Sequence, residues 1–417
     1  MSRDVVITGW GAWTGAGDDE ATRAAWLEGR SSVRAFEKDL VGLPPGFGGW
    51  ADIPFKELRG LPGGRDLRPG TLTAFTKLAC AAVGRALKNV GVDDPAADDD
   101  AVADRRGVYL GSYTNFPEMK KHLALTHVMG DADAATEDRY SIDDAKIMAG
   151  MGGLRGFDFL KLMNNMPAAH TTIQANARGP ANTYLGVSTA GLQAVGRAAE
   201  HVSDGLADQI IAGGTGPGTL EGLLLVHSSY GALPEAEGAR GMIPGDAGAC
   251  VVVESADTAA ARGATAVARV TGYYDLFAAP RTARGGWADA SPLVRLLRVV
   301  LDQAGWAPGD VDYIGATASG LPDLDSVEAA AYADVFGPDL GGAALGVHTA
   351  VTGFTEAAHG TVGLMGAVQA MADGRVPPSP GLGVLPASAG AERTVRRAIV
   401  VSVAPEGHGA AIAIERT

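Results

Sequence analysis

The sequence is short of the features that classify a chain at a glance. Only two cysteines occur in 417 residues, Cys80 in FTKLACAAVGRAL and Cys250 in GDAGACVVVES, both inside apolar patterns. Neither has metal-type spacing, which argues against a disulfide framework and a zinc site. No Lys/Arg-rich run is present, and 48 acidic against 34 basic residues leave a formal charge of −14. Nucleic acid and anionic membrane are therefore not expected as main partners. No apolar stretch approaches the length of about 18 residues that a membrane helix needs. The opening MSRDVVITGWGAWTGAG runs straight into a strand-like segment and is too glycine-broken for a signal peptide. The cytoplasm is the expected compartment.

What is present is apolar content, 46% of the chain, enough for a large buried core and, by length, two or three domain-sized units. Short β-branched runs recur at 4–12, 107–112, 208–215, 249–255, 266–274, 311–318, 343–350, 397–404 and 409–415. Alanine- and leucine-rich helical stretches lie at 71–90, 190–203, 291–304, 326–336 and 360–373. The alternation predicts an α/β fold with buried mixed sheets. The pattern is loosely duplicated, each half closing on an expected strand pair, 249–255 with 266–274 and then 397–404 with 409–415. Residues 113–166 mix charges and glycines with Met, Phe and Leu and read as an insertion over a pocket or a subunit interface. Residues 375–393 read as a Pro/Gly loop inside the fold.

One stretch has the layout of a nucleophile elbow. In RGPANTYLGVSTAG, residues 178–191, a Gly-Pro turn leads through an apolar run to Ser188 and then to a helix. A serine hydroxyl attacks only with an adjacent general base. Glu406 and His408 in PEGHG are candidates for an unconventional acid–base pair, although side chains of such a turn are usually solvated. His359 reads as a helix-start residue at the edge of this site and His170 as a satisfied structural histidine.

VVITGWGAWTGAG, the Trp26–Ser32 segment, Asn165–Met166, RGP at 178–180, GLADQIIAGGT at 205–215, GDAGACVVVE at 245–254 and RVPPS at 375–379 follow in order along the chain. In this they resemble the landmarks of β-ketoacyl synthases of the thiolase fold. The resemblance implies a five-layered α-β-α-β-α architecture of two similar halves, 1–260 and 261–417, and a dimer with its pocket near the interface. It also implies a cysteine at the Ser188 position, a histidine at Thr317, a lysine at Thr349, a second histidine at Phe354 and a backbone oxyanion donor at Pro405. None of these is present here.

The losses have chemical consequences. Threonine and phenylalanine cannot take a proton from Ser188 in the required range. Phe354 offers no donor to an enolate, and proline has no N–H. One missing oxyanion donor costs about 3 kcal/mol of transition-state stabilisation. An inactive pocket accounts for all of these changes together. Segment 320–337, GLPDLDSVEAAAYADVFG, resembles chain length factors, the subunits that pair with an active ketosynthase in type II polyketide synthases. That likeness implies a cysteine-containing ketosynthase as partner, acyl carrier protein reached mainly through it, no cofactor and no metal. It places tunnel stoppers after Tyr113, at Phe116, Met119, His122 and Leu123. The alternative is a homodimeric thiolase-fold acyltransferase or cyclase using Ser188 with a non-standard base.

Overall fold

The computed structural model describes residues 3–36, 46–113, 160–161, 163–229, 231–235, 240–278, 286–382, 385 and 387–417. Its framework is a twice-repeated strand pattern. The first set is β1 (Val5–Thr14), β2 (Arg106–Ser112), β3 (Ala181–Leu185), β4 (Gln209–Pro217) and β5 (Asp246–Ser255). The second is β6 (Ala268–Phe277), β7 (Tyr313–Ala316), β8 (Ala344–Val347), β9 (Arg397–Val403) and β10 (His408–Arg416). The spatial orders are β3-β2-β4-β5-β1 and β8-β7-β9-β10-β6, so each set runs third, second, fourth, fifth, first. The pairing sense repeats as well. The second strand of each set is parallel to both neighbours, and the remaining pairs are antiparallel. The sets join edge to edge at only two positions, Val6 with Arg269 and Ile7 with Ala268.

Helices α1 (Asp19–Glu28), α2 (Ala74–Asn89), α3 (Met166–Gln174), α4 (Ala190–Ser203), α5 (Glu221–Ser229), α6 (Ser291–Ala304), α7 (Pro322–Phe336) and α8 (His359–Asp373) complete the layers. Leu192, Val195 and Val202 of α4 and Leu364, Val368 and Met371 of α8 share one core with Val251 and Val253 of the first sheet and Val400 and Ile412 of the second. The strand residues in between point the other way. Cys250 and Val252 pack with Ala79, Val83 and Ala86 of α2, and Ile399 and Val401 pack with Leu296, Val300 and Tyr332 of α6 and α7. The result is helix, sheet, helix, sheet, helix, the five-layered fold expected. With both faces of each sheet buried, period-two alternation of apolar and polar residues has no place, and the strands read as unbroken apolar runs.

Two expectations change. The pair 249–255 with 266–274 does not form. The helix Ala256–Ala261 follows β5, and the chain then crosses into the other sheet, where β6 pairs with β10 instead. The motif at 320–337 is a helix that starts at Pro322, four residues before the expected 326, because proline suits the first helical turn, where its missing N–H has no intrahelical partner. Cys80 and Cys250 are buried free thiols, and burial pushes the Cys80 thiol up to about 12. Among the described residues no helix is long and apolar enough to cross a membrane.

Candidate functional site

Strand β3 ends at Leu185 and α4 begins at Ala190, so residues 186–189 form the turn that carries Ser188. Two glycines allow it to sit against the loop before α8. A Cβ on Gly191 would lie 2.5 Å from the Ala357 carbonyl oxygen, and one on Gly214 would lie 2.0 Å from it. Ser188 is fully buried. Its hydroxyl donates to the Val403 carbonyl at 2.8 Å, and its own carbonyl accepts from Ser402 Oγ at 2.7 Å and from the Gly360 N–H at 3.2 Å. The proton a base would have to remove is thus committed to a backbone carbonyl, a group that cannot accept it.

The neighbouring positions are built in the same manner. Thr317, just past β7, accepts from the Val403 N–H at 2.9 Å through Oγ1. Its N–H and that of Ala318 donate to the two oxygens of Glu328 at 2.7 and 2.9 Å, and Tyr332 OH donates to Glu328 at 2.6 Å. Burial pushes the Glu328 carboxyl up to about 7 against the opposing pull of these donors. His359 Nε2 donates to the Thr317 carbonyl at 2.8 Å. Burial holds the imidazole near a pKa of about 4, so it is neutral. Thr349 Oγ1 donates to the Ala318 carbonyl at 2.8 Å.

Phe354 stacks on His359 with ring centroids 4.8 Å apart. It packs with Val187, Leu224, Met242 and Ala404, next to the partly buried Phe36, Tyr113 and Leu321. Pro405 sits in the turn closed by Gly407 N–H to the Ala404 carbonyl at 3.0 Å, and its own carbonyl accepts from Gly286 N–H at 2.7 Å. Contacts therefore link Ser188, Thr317, Thr349, Phe354 and the turn of Pro405 into one site. Phe116, Met119, His122 and Leu123 lie outside the described residues, as does most of segment 113–166.

Three histidine readings need revision. His359 does open α8, but it lies inside the site rather than at its edge. His170 is not fully satisfied, since its Nε2 is buried without a partner among the described residues, and burial lowers its pKa. Glu406 and His408 do not converge on Ser188. His408 packs against Phe277 at a centroid distance of 4.8 Å, while the Glu406 carboxyl shares an electrostatic neighbourhood with Glu356 and His227.

That last cluster was missed. Glu356 Oε1 meets His227 Nε2 at 2.5 Å, with side chains 1% and 7% exposed. The available signal was TEAAHG, an acid among small residues just before a helix. Glu356 also has a backbone φ of +50°, a left-handed conformation that side chains disfavour.

The chain matches two family models, the β-ketoacyl synthase N-terminal domain over residues 2–259 and the β-ketoacyl synthase C-terminal domain over residues 268–382. It is 30% identical to the tetracenomycin polyketide synthase ketoacyl synthase beta subunit of Streptomyces glaucescens over 99% of this chain and 98% of that protein. It is 25% identical to 3-oxoacyl-[acyl-carrier-protein] synthase 2 of Staphylococcus aureus over 91% and 88%. Among solved structures, the ishigamide ketosynthase/chain length factor superposes with a TM-score of 0.83 at 22% identity, with both chains fully covered. A type II polyketide synthase acyl-carrier protein in complex with its ketosynthase bound to the hexaketide gives 0.80 at 19%, again over both full chains.

Proposed function

The chain belongs to the β-ketoacyl synthase family, and we propose that within it this protein is a chain length factor: a non-condensing subunit that pairs with a cysteine-containing ketosynthase and walls its acyl tunnel. The observation that carries this reading is the Ser188 hydroxyl, which gives its proton to the Val403 carbonyl. No His, Asp, Glu or Lys hydrogen-bonds to Ser188 among the described residues. Thr317 and Thr349 direct their hydroxyls to backbone groups, Phe354 fills an apolar cluster, and Pro405 has no N–H to offer a developing oxyanion. Condensation needs an activated nucleophile, a proton acceptor and a full set of oxyanion donors; the tied Ser188 hydroxyl, the residues at 317 and 354 and the missing N–H of Pro405 support the non-condensing reading.

Pairing is supported by the exposed edge of the first sheet. Among the described residues strand β3 pairs with β2 alone, and Leu185 at its end is 59% exposed, with Ile173 at 71% and Met163 at 47% on the segments around it. An open strand edge with exposed apolar side chains is a surface that a second chain covers. The relative of 30% identity is named as a beta subunit, in keeping with such an arrangement, and we place the proposed complex in the cytoplasm. Phe116, Met119, His122 and Leu123 remain our assignment for the tunnel wall.

The test is reconstitution. Co-expressed with its ketosynthase, the chain should co-purify as a heterodimer, and Ser188→Ala should leave product formation within a few-fold of the unmutated complex. Complete loss of product together with an acyl adduct on Ser188 by mass spectrometry would establish the acyltransferase alternative instead. Phe116→Ala should shift products towards longer chains, and unchanged lengths would remove Phe116 from the tunnel.

A further inference from the structure

The fourth and fifth strands of each set pair in the same register, Gln209 with Glu254 in the first sheet and Arg397 with Glu415 in the second. One step outwards the same backbone bond closes both corners, Ser255 N–H to the Asp208 carbonyl at 3.1 Å and Arg416 N–H to the Arg396 carbonyl at 2.7 Å. The side chains at this step differ in charge. Asp208 meets Arg3 at 2.7 Å and Arg105 at 2.9 Å, so the first corner holds an anion between two guanidiniums. The second corner sets Arg396 directly opposite Arg416, and neither side chain has an ion-pair or hydrogen-bond partner among the described residues. Like charges facing each other across an antiparallel pair repel. The carboxylates nearby are already held. Glu415 takes Arg269 at 2.7 Å and Arg397 at 3.0 Å, one on each oxygen. Asp312 Oδ2 accepts from the N–H groups of Arg396 and Arg397 at 2.9 and 3.0 Å. Asp310 Oδ2 accepts from Ala307 N–H at 2.8 Å and lies 3.5 Å from Arg397. With these residues the exposed Arg396 and Arg416 line an open pit of about 640 Å³.

We propose that Arg396 and Arg416 form a binding site for a phosphate group, which takes in the second sheet the place that the Asp208 carboxylate takes in the first. Two guanidiniums present two forks of N–H donors, more than the two oxygens of one carboxylate can serve, whereas a tetrahedral phosphate has oxygens for both. Binding also relieves the repulsion between the two cations, and the held carboxylates of the pit leave the guanidiniums to the ligand. The site stands at the opposite end of β9 from the elbow: Arg396 precedes the strand, and Val403, which takes the Ser188 proton, ends it. The inference is therefore independent of the tunnel reading, and it includes no bond-making step.

The experiment is equilibrium dialysis of the full chain, in the complex in which it purifies, against ³²P-labelled inorganic phosphate at neutral pH and constant ionic strength. A saturable site should appear, and Arg396→Gln and Arg416→Gln should each weaken it about tenfold, the loss expected for one charged hydrogen-bond donor. In phosphate-free buffer the same exposed substitutions should leave Tm unchanged or raise it, because each removes a like-charge contact; a lost site then reports binding and not unfolding. Unlabelled glycerol 3-phosphate reads the source of the group. Displacement of the label shows that a phosphate carried on a larger molecule is accepted, and retention of the label shows a site for the free ion; both uphold the assignment. Absence of saturable binding, binding that is unchanged in both variants, or displacement by acetate or chloride as effective as by unlabelled phosphate overturns it and leaves the pairing with a ketosynthase untouched.

Discussion

The two halves of the molecule share one strand order and differ in the connection that leads into their central helices. In the first, residues 186–189 take the chain from β3 to α4; in the second, residues 348–358 lead from β8 to α8. On the short connection the Ser188 hydroxyl and carbonyl are both tied to neighbouring elements, the hydroxyl to β9 and the carbonyl to β9 and α8. The long one carries Thr349, Phe354 and the left-handed Glu356, whose Oε2 is buried without a partner among the described residues. Each connection thus holds a buried polar atom without a partner among the described residues, Thr189 Oγ1 on the short one and Glu356 Oε2 on the long one, and the left-handed non-glycine residue lies on the long one. Such features persist only where the surroundings over-determine them, and they cluster where proteins bind ligands.

Several substitutions would break or sharpen that contrast. Phe354→Ala should cost the most, about 3–5 kcal/mol by chemical denaturation, because it empties the centre of an apolar cluster. Glu356→Ala should cost about 3 kcal/mol by removing one member of a buried pair, and Glu356→Gly should recover about 1 kcal/mol of this, since glycine accepts a φ of +50° without strain. If alanine and glycine are equal, the left-handed backbone is not a source of strain.

The same connection predicts an acid response. The His359 pKa is lowered to about 4 from an unfolded value near 6.5, so its contribution is fully present above pH 6.5 and is lost as pH falls through 4. The loss is on the order of 3 kcal/mol. His348, lowered to about 3, acts in the same direction. Glu328, raised to about 7, acts oppositely: its contribution is present below pH 4.5 and is lost as pH rises through 7. His359→Gln should flatten the acid limb of a stability-against-pH curve, and Glu328→Gln the limb between pH 4.5 and 7. The smallest effect belongs to the short connection: Ser188→Ala removes one hydrogen bond and should cost about 1 kcal/mol.

How much of this was legible in the sequence depended on the range of the interaction. Strands buried on both faces, such as VVITGWGAWT and RAIVVSV, announce themselves as continuous apolar runs. Strand β3, ANTYL, did not, because it is an exposed edge with half-polar composition. The partner of β5 was misassigned because strand pairing is a property of the assembled sheets, and the neighbouring run 266–274 was a plausible local choice. Ser188 was placed on its turn from local pattern alone, yet the destination of its proton lies 215 residues away. The His227–Glu356 contact spans 129 residues, and nothing in either local sequence marks the other.

The seam at Val6–Arg269 and Ile7–Ala268 joins the two sheets into one ribbon with two ends. At one end β3 has no second strand partner among the described residues and is rimmed by exposed apolar residues. At the other, β8 is four residues long and largely buried, which is how proteins shield an edge. Such a ribbon offers one end to a neighbour and shields the other, which agrees with the single partner subunit proposed above.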